Sequence, residues 1–160
     1  MKKYIWPALY ILGIVLINWA FIHIPMIRLP WGDFWSVGTI GIGFIYLVRD
    51  VCQRQYGHKV LALMVVGIIV TYLMSPKLAL ASGLAFGLGE GLEWVIFTTT
   101  KKTFRQRVLW SAIPAVVVDT AVFLVVAGFF TWANFGFETI TKMLALAWIR
   151  FIPDPLGETK

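Results

Sequence analysis

Two acids, Glu90 and Glu93, stand in "GLGEGLEW" within residues 78–100, which hold no other charged side chain. A carboxylate at the centre of a bilayer costs at least about 2.5–3.5 kcal/mol on insertion scales, so such residues usually face a bundle interior or a pathway. Three residues apart, the two are neighbours on one helical surface. A third acid, Asp119, lies in "AVVVDTAVF", and Arg49, Asp50 and Gln53 follow the apolar run "TIGIGFIYLV". Three carboxylates at one depth repel unless they meet a cation, a proton or hydrogen-bond donors. Arg49 is the cation in reach, a partner for Glu90 or Glu93. Asn18 either lines a cavity or bonds a neighbouring helix.

Other chemistry finds little support. No His, Cys and Asp cluster has zinc-ligand spacing, and Ser82 and Ser111 have no histidine nearby in sequence. The acids could serve as general acid and base, but nothing identifies a nucleophile. We therefore expect no enzyme and no cofactor. His23 and His58 fall near helix ends and read as interfacial. Cys52 is the single cysteine, so the chain has no internal disulfide.

The elements that must hold these residues follow from composition. The chain has 160 residues, 59% hydrophobic and 14% charged, with a mean hydropathy of +0.81. A soluble domain of this length cannot hide so much apolar surface, which leaves a multi-pass membrane protein with the lipid bilayer as its solvent. Six apolar segments are expected as helices, at about 4–24, 34–54, 60–74, 78–100, 109–130 and 137–152. They form one transmembrane domain, an all-α six-helix bundle. The first segment reads as a retained span, since no small-x-small cleavage site follows it. The second meets Arg49 after only fifteen residues, too few to cross the bilayer. Either this helix stops short and Arg49 and Gln53 form a solvated end, or Arg49, Asp50 and Gln53 lie partly inside the bundle, which the short span favours. Gly83, Gly87 and Gly91, four apart, predict a face that a second helix can approach closely.

Six spans put both termini on one side. If that side is the cytoplasm, Lys2, Lys3, Arg49, Arg54, Lys59, Lys101, Lys102, Arg105, Arg107, Arg150 and Lys160 lie inside or at the inner interface. Only Arg28, Lys77 and Lys142 then fall outside, so the positive-inside rule favours N-in/C-in in a cell inner membrane. The net charge of +6 is thus a topology signal. The run "KKTFRQR" lacks any nucleic-acid-binding fold, and no nucleic-acid partner is expected. On helices descending and ascending in turn, the three carboxylates fall in a slab on the order of 10 Å thick, from the ~1.5 Å rise per residue.

The stretches "GFIYLVRDVCQRQYGHKV", "SPKLALASGLAFGLGEGLEWVIF" and "SAIPAVVVDTAVFL" resemble the vitamin-uptake-transporter family, which includes queuosine-precursor transporters. The resemblance spans roughly residues 40–128. It maps an Arg-Asp-x-x-Gln-Arg-x-x-Gly element onto Arg49, Asp50, Gln53, Arg54 and Gly57. A second element falls on Ala81, Ser82, Ala85, Phe86, Glu90 and Glu93, and a third on Ser111, Asp119, Thr120 and Phe123. The chain departs from the pattern at Gly89, Gly91, Glu93 and Ala112.

The resemblance implies a bundle similar to the substrate-binding subunits of energy-coupling-factor importers. It also implies uptake of a deazaguanine base such as preQ0 or preQ1. A guanine-like edge presents adjacent N–H donors that Glu90 and Asp119 can accept. Arg49 and Gln53 are then available to its carbonyl, and Phe86, Phe123 or Trp94 to its ring, although Trp94 also reads as a packing or interfacial residue. Two other readings stay open. One is a binding subunit of an ATP-driven importer, against which the first segment shows no clear Ala-x-x-x-Ala stripe. The other is a structural membrane protein whose acids only pair helices. The oligomeric state is open, a homo-oligomer included.

Overall fold

The computed structural model describes residues 4–74 and 79–151. Six α-helices account for most of them: α1 (Ile5–His23), α2 (Gly38–Tyr56), α3 (Val60–Met74), α4 (Ala79–Thr99), α5 (Phe104–Ala127) and α6 (Trp132–Leu146). A 3-10 turn over Gly57–Lys59 separates α2 from α3, and another over Ala147–Phe151 follows α6. Between α1 and α2 stands a small antiparallel hairpin, β1 (Ile27–Arg28) on β2 (Phe34–Trp35).

Side-chain contacts set the directions of the helices. An added Cβ at Gly13 or Gly41 of α1 and α2 would meet Ile45 or Ile17, so residues rising along α1 meet residues falling along α2. Gly67 of α3 faces Ile14, and Thr71 bonds Asn18, so α3 runs parallel to α1 and the chain has reversed at Gly57–Lys59. In α4, Phe86 reaches Gly67, and Thr98 reaches Gln53 near the end of α2. The bundle alternates in this way through α5 and α6. The hairpin and the α5–α6 loop share one end, and the Gly57–Lys59 turn and the α4–α5 loop share the other. Arg54, Lys59, Lys101, Lys102, Arg105 and Arg107 gather at the turn end, with Arg28 at the hairpin end.

The outside of the bundle is apolar. Leu12 (53% exposed), Leu16, Trp19, Val65, Leu73, Leu80 and Val125 point outward, while Arg49, Asp50, Glu90, Glu93 and Lys142 are buried. A water-soluble fold distributes these types the other way round. Helix α1 is apolar on all sides and buries only Tyr10, Ile14 and Asn18, which share one stripe. By length and hydropathy there are four candidate membrane spans among the described residues: Ile5–His23, Gly38–Met74, Leu80–Thr99 and Phe104–Ala127. The second is 37 residues long and contains both α2 and α3.

Several boundaries differ from expectation. Phe34 and Trp35 belong to the hairpin, and α2 starts at Gly38. It continues through Arg49, Asp50 and Gln53 to Tyr56, so these polar residues lie within a full-length helix and not at the end of a short one. Helix α5 takes in "FRQR" and starts at Phe104, not 109, and it stops at Ala127, where Gly128 takes a left-handed φ of 77°. Helix α6 starts at Trp132, not 137, because the Thr131 hydroxyl caps it by accepting from the Asn134 amide. The stretches 1–3, 75–78 and 152–160, with Lys2, Lys3, Lys77 and Lys160, lie outside the described residues, as does the Arg150 side chain.

The glycine expectation is also corrected. Among the described residues, nothing lies within 4 Å of a Cβ added at Gly83, Gly87 or Gly91. Close approach occurs at Gly89, whose added Cβ would stand 2.6 Å from Tyr46 Oη and 2.9 Å from Asp119 Cβ. At Gly43 it would strike the Lys142 carbonyl oxygen. These two positions seat α4 on α5 and α2 on α6. The glycine spacing in sequence was real, but the face that packs is a different one.

Candidate functional site

Polar side chains buried in the bundle form two layers. The first lies toward the turn end and is centred on Arg49. Its Nη2 stands 2.5 Å from Glu93 Oε2 and 3.1 Å from Asp50 Oδ1, and its Nε stands 3.3 Å from Glu90 Oε2. Arg49 Nη1 donates to Gln53 Oε1, and Gln53 Nε2 in turn donates to Thr98 Oγ1 at 2.9 Å and to the Trp94 carbonyl. Arg49, Asp50, Glu90 and Glu93 all have zero exposure. The i,i+3 spacing of the two glutamates turns both toward α2, so one guanidinium fork holds α2 against α4.

The second layer lies nearer mid-bundle. Lys142 of α6 donates to Asp119 Oδ2 at 2.6 Å and to Thr120 Oγ1 at 2.9 Å, both on α5. Glu138, one turn earlier on α6, is 4.0 Å from the same ammonium. Across the bundle, Asn18 Nδ2 donates to Thr71 Oγ1 at 3.1 Å and to the Ile14 carbonyl.

A cavity of about 70 Å³ lies against this second layer, walled by all six helices. Its polar wall is Asn18, Tyr46, Thr71, Ser82, Glu90, Asp119, Glu138 and Lys142, and Phe21, Phe86 and Phe123 add aromatic faces. A water needs only about 10–15 Å³ of such space, so a small solute has room here. Two wall atoms are buried without a hydrogen-bond partner among the described residues: Glu90 Oε1 and Tyr46 Oη. Glu90 Oε2 is already engaged by Arg49 and by the Tyr10 hydroxyl at 3.3 Å. An orphan carboxylate oxygen and an orphan hydroxyl on one wall are costly unless something fills the space between.

Of the residues singled out in the sequence, Glu90, Asp119, Asn18, Phe86 and Phe123 line this cavity. Arg49, Asp50, Gln53, Glu93, Ser111 and Trp94 do not. Arg49 and Gln53 are thus committed to helix pairing, and no solute carbonyl in the cavity has them as neighbours. Ser111 Oγ donates to the Val108 carbonyl of its own helix. The Trp94 ring packs edge-on to His58, 5.4 Å between centroids, beside the Gly57–Lys59 turn.

Lys142, Glu138 and Tyr46 escaped the sequence reading. A helix begun at 137 puts Lys142 near the outer end of its span, because that start is too late. Counted from Trp132, it sits mid-helix and is 1% exposed. The i,i+4 pair Glu138 and Lys142 in an otherwise apolar run was the available signal.

No protein-family model, curated protein or solved structure matches the chain.

Proposed function

We propose that the chain is a membrane carrier for a small heteroaromatic solute, and that a deazaguanine base used to make queuosine is its first candidate. The observation that carries this reading is the mid-bundle cavity with the orphan Glu90 Oε1 and Tyr46 Oη in its wall. A flat ring with adjacent N–H donors satisfies such a wall. Glu90 accepts from those donors, Tyr46 completes the edge, and Phe86 and Phe123 cover the faces. Asp119 is held by Lys142, so it contributes a polarised, partly neutralised acceptor. The reading includes six spans, both termini inside, and an inner-membrane location. The bunching of basic residues at the turn end supports that orientation. The protein catalyses no reaction and needs no cofactor in this account.

Uptake of labelled deazaguanine bases into cells lacking their own synthesis and transport tests the proposal. Glu90→Ala and Asp119→Ala should each reduce uptake to background while leaving folded protein in the membrane. Full uptake by both variants would remove the cavity from the mechanism.

The ion pairs Arg49–Glu93 and Lys142–Asp119 favour a second reading, in which the polar layers only join helices. Under that reading no candidate base raises the unfolding temperature of the purified protein. Under ours at least one does. Co-purification with an ATPase would assign the same cavity to the binding subunit of an ATP-driven importer.

A further inference from the structure

Beyond the central cavity, a second chamber of about 260 Å³ lies at the hairpin end. Hairpin residues Gly32, Asp33 and Phe34 wall one side, together with Met26 and Ser36, and the start of α6 walls the other. The hairpin is fixed in place by Trp31 and Trp35, whose rings each lie 5.5 Å from Phe137, and by the Thr131 hydroxyl, which donates to Asp33 Oδ2 at 2.5 Å. The two chambers share three wall residues: Phe21, Phe123 and Glu138. Phe21 and Phe123 approach to 6.3 Å between ring centroids.

The chemistry of this outer wall is one-sided. Among the described residues its ionisable groups are Asp33 and Glu138, and no described Lys, Arg or His lines it. Asn134, only 2% exposed, lines the same space, and its Oδ1 has no hydrogen-bond partner among the described residues. Glu138 is 5% exposed, and its cation, Lys142, stands 4.0 Å away and is already bonded to Asp119 and Thr120. A buried amide oxygen and a weakly compensated buried carboxylate thus line a chamber whose described wall offers acceptors and carries no cationic side chain. Such a wall concentrates cations and rejects anions.

We propose that the outer chamber is a separate binding site for a small organic cation of the protonated-amine class. The ammonium sits between Asp33, Asn134 Oδ1 and Glu138. Glu138 faces both chambers, so the cation passes inward along one carboxylate once Phe21 and Phe123 part. The site stands on its own wall, whether or not the central cavity carries a deazaguanine.

The test needs no transport. Met26 lines the chamber and is 42% exposed. The full chain with Cys52→Ala and Met26→Cys, in lipid nanodiscs, has a single thiol. That thiol is treated with trimethylammonioethyl or sulfonatoethyl methanethiosulfonate, reagents of similar size and opposite charge. We expect the cationic reagent to react faster, relative to the two rates on a free thiol, by about tenfold or more, the size of effect a one-signed cleft produces. Asp33→Asn and Glu138→Gln should each shrink that ratio. Benzylamine, protonated at neutral pH, should slow the labelling, and benzyl alcohol should not. Asn134→Ala should remove that protection, with the unfolding temperature checking that each variant is folded. Equal rates for the two reagents, or equal protection by amine and alcohol, would overturn the proposal, because the chamber would then hold only water. If uptake of deazaguanines fails while the labelling pattern holds, the central-cavity reading falls and this site remains.

Discussion

At the scale of single residues, the bundle depends on two cations that never reach solvent. Arg49 and Lys142 are 0% and 1% exposed, and each lies within ion-pair distance of carboxylates that are equally hidden. Removing one partner of such a pair leaves a buried charge uncompensated and costs about 3–5 kcal/mol, whereas replacing both by neutral groups is often nearly free. Lys142→Met should therefore lower stability by that order in a reversible unfolding titration in mixed micelles. Adding Asp119→Asn to it should restore most of the loss. A Lys142→Met protein as stable as the parent would mean that Asp119 already carries a proton and that the contact is not an ion pair. The pairing of Arg49 with Glu90 and Glu93 was legible in the sequence, because an arginine and two glutamates in apolar runs have few physical alternatives to one another. The role of Lys142 was hidden by a helix boundary. Five residues of error at the start of α6 moved it from the middle of the bundle to its rim. The orphan oxygen of Glu90 and the orphan hydroxyl of Tyr46 had no signal in the sequence, since a missing partner is a fact of geometry.

At the scale of elements, two of the glycines at helix contacts, Gly43 and Gly89, seat α2 on α6 and α4 on α5. Overpacking a tight contact costs typically about 1–3 kcal/mol, because backbone or side chains must shift to admit the new atom. Gly43→Ala should fall in that range or above it, since its methyl meets the backbone carbonyl of Lys142. Gly89→Ala presses on Tyr46 Oη and Asp119, so it should also disturb ligand binding. Gly87→Ala meets nothing within 4 Å, and alanine's helix preference makes it neutral or stabilising by up to about 1 kcal/mol. The same unfolding titration ranks the three, and a destabilised Gly87→Ala with an unaffected Gly43→Ala would reverse the assignment of the packing faces. The glycine ladder of α4 illustrates why sequence spacing stops short here. Gly83, Gly87 and Gly91 share a face by periodicity alone, but which face meets a neighbour depends on where α5 lies. That is a tertiary matter. The hairpin has no signal in the sequence, which assigns Phe34 and Trp35 to the second helical segment, because strands of two residues are too short to show alternation.

For the whole molecule, the proposed orientation rests on charge. The turn end gathers Lys59, Lys101, Lys102, Arg105 and Arg107, and the hairpin end carries Arg28 among its described residues. The excess should keep the turn end in the cytoplasm. In intact cells bearing Cys52→Ala, a membrane-impermeant thiol reagent should label Met26→Cys, and it should label Lys101→Cys only after the membrane is opened. The opposite pattern would invert the molecule and turn the outer chamber toward the cytoplasm.

The amino-acid sequence alone pointed to a bilayer as the solvent of this protein, and it marked the apolar segments and most of the residues that cannot face lipid. Composition and hydropathy act locally, and a buried charge is costly wherever its helix happens to pack. Only the tertiary structure decided which of those residues became struts and which became cavity wall. Arg49, Gln53 and Glu93 turned to one another away from the cavity, while Glu90, Asp119 and Glu138, each beside a cation, also became part of its wall. That division depends on helix rotation and on where α4 rests on α5 and α2 on α6, which are set by contacts between residues far apart in the chain.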